Sequence, residues 1–248
     1  MDPYSWDLNP EAIALVLLGT GYVLLARRYD AERWRIACFL AGITMLLAAT
    51  VSPLHTLALH YLLSAHLLQN VILAEWAPAL CVLGIPAAIG AAVVRSRALA
   101  FVTHPLVALP AWLGSYFAWH LPAAYDAALR HPNSLLHLEH LSYFVTGCLL
   151  WWPVFQEHKA LRASSAKAAY LFAAFVLASP LGLLLALLPR AVYDFYRHAP
   201  DLWGLSPLAD QQLAGVTMAG EQAVVFFAVF GFFFLRFLAE EERPDHVG

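Results

Sequence analysis

Charge is scarce in this 248-residue chain. Asp, Glu, Lys and Arg together make up 12% of it, against about a quarter in an ordinary soluble domain. With no long polar stretch either, a pair of soluble domains is excluded. No basic patch interleaved with aromatics is present, so nucleic acid is not an expected partner. Cysteine is nearly absent: Cys38, Cys81 and Cys148 each fall in an apolar run and form no C-x-x-C pair. Disulfides and a thiolate metal site are therefore not expected, and the three read as small buried hydrophobes. A secretory leader is not expected either. Asp2 and Asp7 stand where such a leader carries Lys or Arg, and no small-residue cleavage site follows. The first apolar segment is expected to be a retained helix.

What the chain does have is apolar length. Hydrophobic residues are 61% of it, with a mean hydropathy of +0.65. A spanning helix needs about 20 mostly apolar residues. Seven stretches qualify, at 10–26, 35–51, 58–83, 105–121, 134–154, 167–188 and 209–236. The expectation is an all-α, polytopic membrane protein, one seven-helix bundle over 1–248. The apolar stretch from Ile85 to Val94 lies past Pro78 and Pro86, which predicts a kinked or broken helix rather than an eighth span.

Positive charge gives the orientation. With seven spans, Arg27, Arg28, Arg33, Arg35, Arg95, Arg97, Lys159, Arg162, Lys167, Arg236 and Arg243 fall on one side. Only Arg130, Arg190 and Arg197 fall on the other. Positive residues favour the cytoplasmic side, so the N-terminus is expected outside and the C-terminus in the cytoplasm.

That topology assigns depth to the polar residues. His66 sits within an apolar run, about eight residues and hence ~12 Å below the outer surface at ~1.5 Å per residue. His120 ends the fourth helix at the outer side. His137 and His140 open the fifth, three residues apart and so on one face. Asp210 and Gln211 begin the seventh. Four imidazoles from three helices thus converge on the outer half of the bundle, and neutral imidazole binds copper, zinc, iron or nickel. A lone membrane histidine is more often a helix-packing residue; four clustered on one side favour a metal or cofactor site. His55, His60, His104, His131, His158, His198 and His246 lie at helix ends or in loops and are left unassigned.

On the seventh helix Asp210, Ala214, Thr217, Met218 and Glu221 form a stripe, and Gly215 and Gly220 allow another helix to approach closely. Met218 carries a soft thioether suited to Cu(I), although a core methionine is the commoner case. Glu221 is placed near mid-membrane and Glu75 deeper. Buried carboxylates suit proton handling or support of a metal site. Trp119, Trp151 and Trp152, near helix ends, fit interfacial anchors.

Four stretches, in order, resemble the CtaG-type cytochrome c oxidase assembly factors of bacteria. They are Ser64-Ala65-His66-Leu67-Leu68-Gln69-Asn70 running on to Ala77-Pro78 and Leu83-Gly84-Ile85-Pro86; Trp119-His120-Leu121-Pro122; His137-Leu138-Glu139-His140 followed by Trp151-Trp152-Pro153; and Asp210-Gln211-Gln212-Leu213-Ala214-Gly215. They extend over roughly residues 52 to 222. The resemblance implies a seven-helix inner-membrane protein that helps insert copper into the copper-B centre of a haem-copper oxidase. It implies ligands at His66, His120, His137 and His140, with Asp210 and Gln211 near them. The chain departs from the family at Asn70, where a second histidine is common one turn after His66. Its three methionines argue against an extended Met-rich copper conduit.

On that reading, an outward-facing histidine site holds copper, as Cu(I), in transit. Asn70, Asp210, Gln211, Met218 and Glu221 serve support or transfer. The expected partners are a periplasmic or extracellular copper donor, a haem-copper oxidase subunit and the lipid bilayer; a homo-oligomer is left open. This is ligand exchange and not catalysis. The alternative is an intramembrane zinc hydrolase on the same histidines, with Asp210 or Glu139 as general base and Ser64 or Ser142 at the oxyanion. A b-type haem protein and a metal-free scaffold are the remaining readings.

Overall fold

The computed structural model describes residues 2–156 and 158–242, so Arg243 and His246 lie outside it. Among the described residues every regular element is helical. In chain order they are α1 (Pro10–Arg28), α2 (Arg33–Val51), α3 (Pro53–His60), α4 (Leu63–Gly84), α5 (Ala87–Arg95), α6 (Arg97–Val102), α7 (Pro105–Trp119), α8 (Pro122–Arg130), a π turn (Pro132–Leu136) leading into α9 (His137–Phe155), α10 (Ser164–Leu187), α11 (Asp194–Arg197) and α12 (Pro207–Glu241). Five of them, α1, α2, α4, α10 and α12, are long and apolar enough to cross a membrane. The other two expected spans are helices in the expected places. However, α7 has only 15 residues, about 22 Å at 1.5 Å per residue, and α9 opens on His137, Glu139 and His140.

The bundle is organised around α4, which begins later than expected. The helix over Pro53–His60 stops, Leu62 turns extended (φ −128°, ψ 124°), and α4 starts at Leu63. A fresh N-terminus inside a bundle exposes unpaired amides. Asp210 of α12 supplies the cap: its carboxylate accepts from Leu63 N at 2.6 Å, Ser64 N at 3.2 Å and Ser64 Oγ at 2.5 Å. At the other end the terminal carbonyls are met in turn. Arg35 Nη1 donates to Leu83 O (3.1 Å) and Ile85 O (2.9 Å). Tyr22 Oη donates to Gly84 O (2.7 Å) and Gln156 Nε2 to Val82 O (2.7 Å). An anion at the start and a cation at the end both oppose the helix macrodipole.

Within α4 the backbone widens into a π turn at Ile72–Trp76. Pro78 has no N–H, so the Ala74 carbonyl loses its helical partner, and the wider turn absorbs the defect. Gly147 of α9 packs here, where a Cβ would overlap Ala74 O and Pro78. The chain then breaks at Ile85-Pro86 and resumes as α5, as the two prolines predict.

The tightest pairing is α10 on α12. Gly215 lies against Ala186 N and Gly182 O with no room for a side chain. Gly220, expected to serve the same purpose, faces open space. Two aromatic expectations are also corrected. Trp151 and Trp152 are 0% and 8% exposed and belong to the core; Trp151 stacks on Phe155 and Phe226. An indole buries a large apolar area wherever a bundle leaves room for it, so position near a helix end did not decide the matter.

Candidate metal centre

The starts of α1, α4, α9 and α12 and the ends of α2 and α7 meet at one end of the bundle. There the structure gathers His66, His120, His137 and His140, each held through Nδ1 by a defined partner. His120 Nδ1 is 2.7 Å from the Tyr116 carbonyl. His140 Nδ1 is 2.9 and 3.0 Å from the two oxygens of Glu11, and His137 Nδ1 is 2.5 Å from Glu11 Oε1. His66 Nδ1 is 2.8 Å from the Tyr196 hydroxyl. That hydroxyl gives its own proton to Ala58 O at 2.5 Å, leaving its oxygen to accept.

Carbonyl, carboxylate and committed phenol are all acceptors, so each imidazole carries its proton on Nδ1. In the neutral form of each ring the opposite nitrogen, Nε2, is then a bare lone pair. For His66, His120 and His140 that atom is buried and has no hydrogen-bond partner. His137 is different: its side chain is 34% exposed, and it stands at the surface beside them. An Nδ1–H held by carboxylate or carbonyl with Nε2 free is how a ligating histidine is oriented for metal.

The surroundings are rich in orphaned acceptors. Glu139, fully buried, accepts from Asn70 Nδ2 at 3.1 Å, while its Oε2 and Asn70 Oδ1 have no partner. His66 Nε2 lies 3.9 Å from Glu139 Oε1. That is too long for a hydrogen bond. His140, His55 and His120 are within electrostatic range of His66. Tyr125, fully buried, lies between His66 and His120, with ring centroids 4.9 and 5.9 Å away. Among the described residues, no three His, Cys, Asp or Glu side chains are gathered closely enough to hold an ion. The arrangement is open rather than a closed cage.

A cleft of about 150 Å³ leads to Glu11, His137 and His140 between walls that include Leu15, Leu46, Leu73 and Phe144. Behind the histidines is a much smaller space, about 10 Å³, or room for roughly one water, bordered by Asn70, Glu75, Tyr116, His120, Tyr143 and Met218.

Other expected site residues hold the frame. Asp210 caps α4. Gln211 clamps the loop after α10, accepting from Val192 N (2.8 Å) and donating to Arg190 O (3.1 Å) and Leu185 O (3.3 Å). Met218 is buried at the wall of the small space. Glu221 pairs with Trp76 Nε1 at 2.7 Å, and its neighbour Gln222 reaches Glu75 Oε1 at 2.8 Å. Glu75 and Glu221 therefore lie at one level, not at two depths as expected. Of the unassigned histidines, His55 is buried, its Nδ1 accepting from Gln69 Nε2 at 2.9 Å, while Gln69 also donates to Ala49 O. Glu11, Tyr116 and Tyr196 drew no notice in the sequence, since each earns its role from a partner far along the chain.

Nothing supports the hydrolase alternative. Ser64 Oγ donates to Asp210, Ser142 Oγ donates to the Glu139 carbonyl at 2.8 Å, and Asp210 is committed to helix amides.

Residues 16–240 match the model of the family described as cytochrome c oxidase caa3 assembly factor (Caa3_CtaG). No curated protein and no solved structure matches the chain. The match spans most of the sequence, and the chain belongs to that family.

Proposed function

We propose that this cytochrome c oxidase assembly factor carries Cu(I) through the buried imidazole cluster and delivers it to the copper-B centre of a haem-copper oxidase. Membership of the family implies contact with a cytochrome oxidase. The observation that carries the copper reading is the set of three buried Nε2 lone pairs on His66, His120 and His140. An unpaired buried acceptor costs about 1–3 kcal/mol, and three of them in one region are a standing demand for a cation. Imidazole nitrogen without thiolate suits a transferable copper ion.

In this reading the chain crosses a bacterial inner membrane seven times, with the histidine end outside. The eleven-to-three distribution of Lys and Arg in the sequence supports it. A copper donor presents the ion at the cleft, where the partly buried His137 and Glu11 receive it. His140, His66 and His120 then draw inward around it, with Glu139 beside His66. Because no closed cage exists beforehand, the ion is held without being trapped, and an oxidase subunit docked against the bundle takes it by ligand exchange.

The test is metal content. Full-length protein purified anaerobically with Cu(I) should hold copper stoichiometrically, and His66→Ala or His140→Ala should abolish it. Copper content unaffected by either substitution overturns the assignment, and a Soret band in place of copper assigns haem instead.

A further inference from the structure

One level deeper than the histidines, Glu75 of α4 and Glu221 of α12 face each other in the bundle. Glu75 is fully buried and Glu221 half-buried. Each has one oxygen satisfied: Glu75 Oε1 accepts from Gln222 Nε2 at 2.8 Å, and Glu221 Oε2 accepts from Trp76 Nε1 at 2.7 Å. The remaining oxygens, Glu75 Oε2 and Glu221 Oε1, have no donor at all, and the two carboxyls are close enough to hydrogen-bond. A third acceptor is stranded beside them. Gln222 is fully buried with Oε1 unpartnered, because its amide nitrogen is directed to Glu75 and, at 2.9 Å, to Tyr116 Oη.

Three buried acceptors without a donor cannot be left so at acceptable cost, and two adjacent carboxylates in an apolar bundle cannot both be ionised. The ionisable groups facing the pair are Tyr116 and His120 of α7 and Tyr143 of α9, the latter two across the small space. None is a cation here, for His120 is the neutral Nδ1–H form. On α10, Lys167 lies over Phe233, twelve residues along α12 from Glu221. Protons on the carboxyls are the donors the site lacks.

The connection to the histidines is short. His120 Nδ1 bonds the Tyr116 carbonyl, and the Tyr116 hydroxyl accepts from Gln222, which also holds Glu75. The small space bordered by both Glu75 and His120 has room for roughly one water. Neither carboxyl touches the proposed copper ligands directly in this chain of contacts.

We infer that Glu75 and Glu221 form a buried proton site that gives up one proton when a cuprous ion enters the imidazole cluster. The exchange is balanced: Cu⁺ enters, H⁺ leaves, the buried region keeps its net charge, and nothing is oxidised or reduced. The coupling rests on the copper reading above; the proton site does not.

Infrared difference spectroscopy on the full-length protein tests both parts. In metal-free protein at neutral pH a protonated-carboxyl C=O band is expected, weakened or lost in Glu75→Gln and in Glu221→Gln. Because Glu221 is the less buried partner, its variant keeps the test open if Glu75→Gln does not fold. Adding Cu(I) should remove intensity from that band and release about one proton per copper bound, read with an indicator dye in weak buffer. Glu221→Gln should bind copper with that release lost. A band unchanged in both Glu75→Gln and Glu221→Gln overturns the site. A band whose intensity is unchanged at saturating Cu(I), or proton release retained in Glu221→Gln, overturns the coupling. If no copper binds, the functional reading and the coupling both fall, and the metal-free band alone decides the proton site.

Discussion

Tyr196 and His66 stand 130 residues apart in the chain, yet the Tyr196 hydroxyl lies 2.8 Å from His66 Nδ1 and donates its own hydrogen bond to Ala58 O at 2.5 Å. That relay decides which nitrogen of a fully buried imidazole is left bare. Tyr196→Phe removes the acceptor and frees the ring to rotate or change tautomer. Cu(I) affinity should fall about 10- to 100-fold, the usual effect of losing a partner that orients a metal ligand. Competition with a chromophoric Cu(I) chelator measures it; unchanged affinity refutes the tautomer argument for His66.

Asp210 should prove a matter of stability before function. It caps two amides and a hydroxyl at the start of α4. Asp210→Ala should cost about 1–2 kcal/mol, in the range of a lost N-cap, and Asp210→Asn less. Thermal unfolding in detergent gives the comparison. If both variants unfold as the parent does, α4 does not depend on this cap.

The two glycines of α12 should separate cleanly. Gly215→Ala drives a Cβ into the α10 backbone at Gly182 and Ala186, while the same change at Gly220 meets nothing within 4 Å. Overpacking costs about 1–3 kcal/mol. Gly220→Ala should be neutral or slightly stabilising, since alanine is the better helix former. Equal midpoints for the two variants contradict the packing described here.

Asn70 stands one turn after His66, where the resemblance drawn from the sequence implies a second histidine. Here it donates to Glu139 and leaves Oδ1 without a partner. Asn70→His should add an imidazole beside His66 and Glu139 and raise Cu(I) affinity or stoichiometry. Chelator competition and metal analysis on the purified variant check it; a decrease shows that the Asn70–Glu139 contact serves this chain better than a further ligand.

Several features were legible in the sequence because they are periodic or local. Apolar length located α1, α2, α10 and α12 to within a few residues, and the i, i+3 spacing of His137 and His140 placed both at the start of α9. Prolines announced the break before α5. What escaped depends on contacts between distant segments. The interruption at Tyr61-Leu62 sits in a mostly apolar segment with no proline or glycine to mark it, and the carboxylate of Asp210, 147 residues away from Leu63, caps the helix that starts there. Glu11 looked like an acidic first-turn residue of α1, and its two histidine partners lie more than 120 residues on. Glu75 and Glu221 were assigned different depths by counting residues, which cannot register the π turn or the offset of α12 against α4.

X-ray absorption at the copper edge of the Cu(I)-loaded, full-length protein bears most directly on the bare-nitrogen cluster. A first shell of nitrogen and oxygen with imidazole outer-shell scattering from two or three rings, reduced by one ring in His120→Ala, is the predicted result. A sulfur-dominated shell, or a spectrum identical in His66→Ala, His120→Ala and His140→Ala, would contradict it.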